Sequence, residues 1–103
     1  MLRLTLSGTR VTLEKLMCDN KTIEVDFTFH IQAHQVDDVT EMLATAKAFR
    51  ESRPYIALEG AMYPGGPTVM VEAVIYPSSC ELKVYNKFGA VVFTSKNDIE
   101  III

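Results

Sequence analysis

TIEVDFTFHIQA, residues 22–33, alternates polar and apolar side chains without an exception. Successive side chains of an extended strand point to opposite faces, so this pattern predicts a long strand with one dry and one wet face. Such a strand is typical of an antiparallel sheet that is covered on one side only. The side chains expected on the dry face are Ile23, Val25, Phe27, Phe29, Ile31 and Ala33.

The spacing of apolar residues changes from steps of two to steps of three and four after this strand. The residues that follow the new spacing are Val36, Val39, Met42, Leu43, Ala46 and Phe49. They predict an amphipathic helix over about residues 38–52. Asp37 or Asp38 is expected to cap its start, Asp38 and Glu41 have the spacing of a capping box, and Pro54 is expected to stop the helix.

Shorter alternating segments predict strands on both sides of the helix. An N-terminal hairpin with its turn at residues 7–9 precedes the long strand. After the helix, the predicted strands cover residues 55–63, 68–76, 81–85, 90–94 and 99–103. The predicted fold is a single α+β domain, residues 1–103, in the order β-β-β-α-β-β-β-β with room for a further C-terminal strand. One helix cannot cover so many strands, so the second half of the sheet is expected to curl round or to form a second layer.

Composition indicates an ordinary globular protein, with 49% apolar and 22% charged residues and a net charge of −3. There is no concentrated basic stripe of the kind that binds nucleic acid, and no apolar run long enough for a membrane span. Cys18 and Cys80 form no Cys-x-x-Cys pair and are expected to be reduced thiols, although sequence leaves open whether they meet. The expected location is the cytoplasm, and we expect no cofactor and no metal.

The two histidines are the first candidates for chemistry. Both are expected on the wet face of the long strand, about 13 Å apart, which is too far for them to share a metal ion. A small hydrolase or isomerase that uses His30 and Asp26 is one alternative function, but no other catalytic motif accompanies them. We therefore lean towards a protein that is not an enzyme.

Two segments point to association with another protein. The loop at residues 64–67 leads into a strand and not into a helix, so it is predicted to be a hairpin connection and not a phosphate-binding loop. Its tip, with Met62 and Tyr63 beside it, can touch a partner. Four isoleucines in the last five residues need cover on both faces, because an exposed apolar strand edge invites uncontrolled pairing. The predicted interaction residues are Met62, Tyr63, Gly65, Gly66, Ile99, Ile101, Ile102 and Ile103.

The predicted function is a small non-enzymatic protein–protein interaction module, such as an accessory subunit, an inhibitor or an assembly factor. It is expected to associate with a partner or with itself through the C-terminal strand or a sheet edge. A second alternative is a single-stranded nucleic-acid-binding protein whose later strands supply aromatic and basic side chains. The residues of that alternative are Tyr76, Lys83, Tyr85, Lys87 and Phe88.

Overall fold

The structure is a computed structural model that describes residues 1–16, 23–63 and 65–103, with the backbone alone at 15–16, 23–27, 92–95 and 97. It has the predicted α+β architecture, and the C-terminal segment forms a strand of its own. The helix α1 is Val36–Ala48, with short 3-10 helices before it at Ala33–Gln35 and after it at Arg50–Ser52. The strands are β1 Leu2–Ser7, β2 Arg10–Leu16, β3 Ile23–His30, β4 Tyr55–Ala61, β5 Thr68–Ile75, β6 Cys80–Tyr85, β7 Val91–Asn97 and β8 Ile99–Ile102.

The strands form one sheet in the order β7-β6-β5-β4-β3-β2-β1-β8, antiparallel except for the parallel pair β1–β8. A single residue, Asp98, separates β7 at one end of this order from β8 at the other. Its carbonyl accepts a hydrogen bond of 2.7 Å from the N–H of Leu2, at the start of β1. Two ends of a sheet that are one residue apart in the chain must be neighbours in space. The sheet therefore curls round until it closes, as the excess of strands over helices led us to expect.

The strands alternate between inward-facing apolar and outward-facing side chains, and the inward-facing ones fill the inside of the closed sheet. Facing residues in neighbouring strands are both apolar, as in the pairs Leu4–Leu13 and Leu58–Val71. The helix adds its own stripe to the same core, since Val39, Leu43 and Ala46 are buried. No buried polar or charged residue is found among the described residues, so burial of apolar surface is the main force that holds the sheet closed.

Strands β3 and β4 meet at one residue pair only, His30 with Ala61. These are the last residues of two antiparallel strands, so β3 and β4 lie end to end rather than side by side. Gly60 makes the contact possible, because a Cβ at this position would come within 2.6 Å of the Phe29 ring and even closer to the carbonyl oxygen of His30. Beyond the contact, the position beside β4 is taken by α1 instead of a strand.

The helix differs from its prediction at both ends. It begins at Val36, so Asp37 and Asp38 lie in its first turn and do not cap it. Its start follows a 3-10 turn in which the Gln35 amide oxygen accepts a hydrogen bond of 2.8 Å from the N–H of Gln32. Its end comes well before Pro54, because the chain leaves helical geometry at Phe49 and forms a 3-10 turn that closes at Arg53 with a φ of 53°.

Two strand predictions also need correction. The long strand ends at His30 and not at residue 33, and Ala33 is exposed because the chain turns into a 3-10 helix there. Residues 95–97 do not break β7, since pairing with β6 continues to Asn97 opposite Cys80 and Asp98 alone interrupts it. The side chains of Phe27 and Cys18 are outside the described ones, so the predicted orientation of Phe27 and the predicted reduced thiol of Cys18 stay predictions.

We expect Gly60→Ala to lower the free energy of unfolding by about 1–3 kcal/mol, because the added methyl group overlaps the His30 backbone and the Phe29 ring. Gly66→Ala is the matched control. The atoms nearest to its methyl group would belong to the exposed Tyr63 ring, which can rotate away. Urea unfolding followed by circular dichroism measures both changes, and equal losses would show that the β3–β4 contact is not a tight one.

We expect Ile101→Ala to cost about 2–5 kcal/mol of stability, because Ile101 is 3% exposed and pairs with Leu4 in the core. Ile103→Ala makes the same chemical change at a residue that is 47% exposed, and its cost should stay within about 0.5 kcal/mol. The same unfolding measurement compares them. If both variants unfold like the parent protein, β8 does not close the sheet.

Candidate functional site

One edge of β4 is left without a strand partner. The N–H of Ile75 donates to the carbonyl of Pro54 at 3.0 Å, which makes this a hydrogen-bonded pair of the β4–β5 ladder. Along an antiparallel ladder, hydrogen-bonded residue pairs alternate with pairs that are not hydrogen-bonded. The even-numbered residues of β4 therefore bond to β5, whereas the N–H and C=O groups of the odd-numbered residues point to the other side. On that side, no hydrogen bond joins the backbone of Ala57 or Glu59 to another described residue. The free groups face α1.

A groove runs between α1 and this edge. It consists of two adjoining depressions of about 260 and 300 Å³ that share Asp38 and Met42. Ala57, whose side chain is small and exposed, forms part of its floor. We define this α1–β4 groove by the residues Asp38, Glu41, Met42, Thr45, Tyr55, Ala57, Glu59 and Met70.

The groove is acidic. Carboxylates stand on both walls, with Asp38 and Glu41 on the helix and Glu59 on the strand. No lysine or arginine lines it in the described part of the chain. The ion pairs seen among the described residues join Arg3 to Glu14 and Glu100, on other strands. The three groove carboxylates therefore form no ion pair with another described residue, and their negative charge favours positive groups in the groove.

Tyr55 is held at one end of the groove. The Glu72 carboxylate, which can accept a hydrogen bond from the phenol, raises the pKa of Tyr55 above its ordinary value, and partial removal of the phenol from water and the negative charge of Glu72 add to the effect. The ring stays 56% exposed. It is thus a neutral, oriented aromatic surface near neutral pH, available to an apolar group of a ligand.

At its other end the groove opens into a cleft of about 480 Å³, with which it shares Gln35 and Glu59. His30 and His34 both line this cleft, and so do Gly65 and Gly66 of the loop that follows β4. The prediction that His30 and His34 both lie on the long strand was therefore wrong. His34 lies in the 3-10 helix that follows β3, which turns it towards the same cleft as His30.

The cleft does not assemble a metal centre from the described residues. They contain no group of three His, Cys, Asp or Glu side chains arranged to hold a metal ion. No hydrogen bond joins the His30 imidazole to another described side chain, and the side chain of Asp26 lies outside the description. The hydrolase or isomerase that would use His30 and Asp26 stays a prediction.

The predicted interaction residues separate into two groups. Met62 and Tyr63 are 43% and 59% exposed, and the Gly66 N–H donates to the Tyr63 carbonyl at 2.8 Å, so the loop forms a turn at the mouth of the cleft. The C-terminal isoleucines are elsewhere, and their side chains alternate. Ile99 and Ile101 are buried in the core, Ile102 is half-buried and Ile103 is exposed.

The residues of the nucleic-acid alternative do not gather on one surface. Tyr85 and Lys83 lie on the outer face of β6, where Lys83 is opposite Glu72. The Lys87 amine lies 5.0 Å from the centre of the Phe88 ring in the next turn. Tyr76 is beyond the far end of β5, with the Arg53 guanidinium 5.7 Å above its ring. This alternative stays a prediction, and the carboxylates interspersed on the face weaken it.

Sequence reasoning missed the residues of the groove. Ala57 and Glu59 looked like the wet side of an ordinary strand, and Asp38 and Glu41 looked like capping and dipole residues of the helix. One signal was available, because a helix inserted between two strands of a meander interrupts the hairpin pairing and leaves an edge.

Comparison of the chain with protein-family models, with curated proteins and with solved structures finds no match. No helix in the described ranges is long and apolar enough to cross a membrane. The function must therefore be argued from the geometry of the groove and the cleft.

Cys80 contributes to the core rather than to a site. It is 1% exposed, and its burial raises the pKa of the thiol to about 11, although the nearby Arg50 acts in the opposite direction. A buried neutral thiol is a poor nucleophile, so we assign Cys80 no chemistry.

We expect the burial of Cys80 to appear in the pH dependence of stability. Its folded pKa is raised above the ordinary value of 9.0, so its contribution is complete below pH 9 and is lost as the pH rises towards about 11. In a Cys18→Ala background, stability should fall over this range. Replacing Cys80 by Ala should remove part of that fall, while the Tyr55 phenol still contributes. Chemical denaturation between pH 8 and 11 tests this, and identical pH profiles with and without the thiol would contradict it.

Proposed function

We propose that the protein is a non-enzymatic binding module that holds an extended segment of a partner protein in the α1–β4 groove, where the segment reaches the edge of β4 from the outer side of the helix. The observation that carries this proposal is the set of unbonded peptide groups at Ala57 and Glu59 that face the groove. A segment in the groove can form main-chain hydrogen bonds with such groups, while side chains beside the edge supply specificity.

The walls of the groove support binding of side chains as well as backbone. Met42 is half-buried on the helix side, and Met70 is 39% exposed on the strand side. Methionine is flexible and polarisable, so a pair of methionines adapts to apolar side chains of different shapes. The small Ala57 between them leaves space for the partner backbone to approach the edge.

The mouth of the cleft extends this surface. Met62 and Tyr63, which the sequence had suggested as contacts, are exposed and lie in the chain between Ala61 and Gly65, which both line the cleft that continues the groove. A segment longer than the groove would therefore reach the turn at Gly65 and Gly66. The predicted loop contacts and the groove then form one continuous binding surface.

The C-terminal strand is a second candidate for the contact. A depression of about 360 Å³ lies between β8 and the end of α1, lined by Met1, Lys47 and Arg50. Strand β8 has four residues and β4 has seven, and Ile99 and Ile101 are already used by the core. The α1–β4 groove, with its two adjoining depressions, is the longer surface, so we favour it. The cytoplasmic location stays a prediction.

Ala57→Pro tests the role of the free edge. Proline removes the N–H that points into the groove and leaves the β4–β5 ladder bonds in place, since residue 57 does not bond to β5. We expect a peptide selected on the full-length protein from a displayed random library to bind this variant about tenfold or more weakly. Ala57→Val, which keeps the N–H, is the matched control and should bind within about threefold of the parent protein.

Calorimetric titration gives the affinities, and circular dichroism shows whether each variant is folded. Hydrogen exchange on the parent protein gives a test that needs no variant. The amides of Ala57 and Glu59 should become protected when the peptide binds, because each gains a hydrogen-bond acceptor. Selected peptides that leave both amides unprotected, or a library that yields no peptide, would overturn the proposal.

A further inference from the structure

We infer that the depression between β8 and the end of α1 binds a small organic oxyanion, a carboxylate or a phosphate ester with a short alkyl chain, through the side chains of Arg50 and Lys47. This depression shares no lining residue with the α1–β4 groove, so the inference does not depend on the proposed function. The observation that points to a ligand is an arginine side chain whose hydrogen bonds and charge are incompletely satisfied.

Arg50 is half-buried in the 3-10 turn that follows α1. One terminal nitrogen of its guanidinium, Nη2, donates a hydrogen bond of 3.2 Å to the carbonyl of Tyr76. The Nε atom is buried and has no hydrogen-bond partner among the described residues. An N–H that is removed from water without an acceptor destabilises the folded state, so native proteins rarely leave one unbonded. The unbonded Nε–H therefore indicates a missing acceptor beside Arg50.

The positive charge of Arg50 also lacks a counter-ion. The ion pairs between described residues belong to Arg3, so neither Arg50 nor Lys47 forms one within the described part of the chain. Both side chains line the same depression. The last carbonyls of α1 carry only a partial negative charge, which leaves most of the positive charge unbalanced. An oxyanion in the depression would balance it and would supply acceptors for the guanidinium.

The carboxylate that lines the depression does not fill this role. Glu100 Oε2 lies 3.3 Å from the Nε of Arg3, and the two residues are paired in the β1–β8 ladder. The ion pair with Arg3 offsets the charge of Glu100, which would otherwise repel an anion. The depression thus keeps a net positive character on the side of α1.

The size and the apolar lining of the depression set the class of anion. Its volume of about 360 Å³ is that of a pocket for a small molecule. Apart from the charged residues, it is lined by Met1, which is 42% exposed, by the half-buried Ile102, and by Ile99 and Ile101. A short alkyl chain would remove part of this apolar surface from water while its carboxylate or phosphate reaches Arg50 and Lys47.

Calorimetric titration of the full-length protein with acetate, hexanoate, hexyl phosphate and hexylamine tests the inference. We expect hexanoate to bind about tenfold more tightly than acetate, because its chain covers apolar surface. Hexylamine, which has the same chain and a positive charge, should not bind. Tighter binding of hexyl phosphate than of hexanoate would assign the site to phosphate esters, and the reverse order would assign it to carboxylates. The inference fails if neither anion binds at millimolar concentration, or if hexylamine binds as tightly as hexanoate.

Variants locate the site. Lys47→Gln removes an exposed charge and should weaken hexanoate binding about threefold to fivefold. Lys87→Gln makes the same change at an exposed lysine in the turn between β6 and β7, and it should leave binding unchanged. Arg50→Lys keeps the positive charge but removes the planar guanidinium, and it should weaken binding about tenfold. Equal losses in Lys47→Gln and Lys87→Gln would contradict the proposed site.

The Nε–H of Arg50 gives a readout that a change in stability alone does not move. Proton–nitrogen correlation spectra show arginine Nε–H groups, and the Arg50 signal is identified by its absence in Arg50→Lys. In the parent protein this signal should shift downfield when hexanoate binds, because the N–H gains an acceptor. A signal that stays in place while hexanoate binds would show that the anion is held elsewhere.

Discussion

The close contact between His30 and Ala61 determines where the rest of the molecule can go. It is the one point at which β3 and β4 pair, and the absence of a side chain on Gly60 lets the two backbones approach. Because the strands meet by their ends, the closed sheet has an opening beside β4. The helix fills this opening with Val39, Leu43 and Ala46 and leaves the groove on its outer side. A longer β3–β4 ladder would remove both the place of the helix and the free edge.

Closure of the sheet depends on a second constraint at the other end of the chain. The segment from Val91 to Ile102 contains β7, which pairs with β6, and β8, which pairs with β1. This one segment therefore joins the two ends of the sheet. The buried apolar side chains of β8 pack in the core where the sheet closes, which explains the unusual run of isoleucines. Their hydrophobicity signalled a need for cover, and the fold itself covers Ile99 and Ile101.

Sequence reasoning succeeded where a feature is set by local pattern. Alternation around Phe29 identified β3, and the three-and-four spacing around Leu43 identified α1. Burial of one face of a strand or helix requires these spacings of apolar residues. Their ends were less predictable. Ala33 fits the alternation but belongs to a 3-10 turn, and the helix stops at Ala48 although apolar spacing continues to Phe49. The groove was out of reach for a different reason: side-chain periodicity shows which face is dry, whereas the free peptide groups of Ala57 and Glu59 depend on which strands are neighbours.

The charge of the groove also bears on whether the protein associates with itself. An open strand edge is a hazard, since a second copy can pair with it, and charged residues near the edge are a common protection. If two copies came together at their α1–β4 grooves, the carboxylates of Asp38, Glu41 and Glu59 in one copy would lie near those of the other. The like charges would oppose that dimer, and no lysine or arginine among the described residues that line the groove would offset them. The carboxylates beside the edge therefore act against pairing of a second copy with β4.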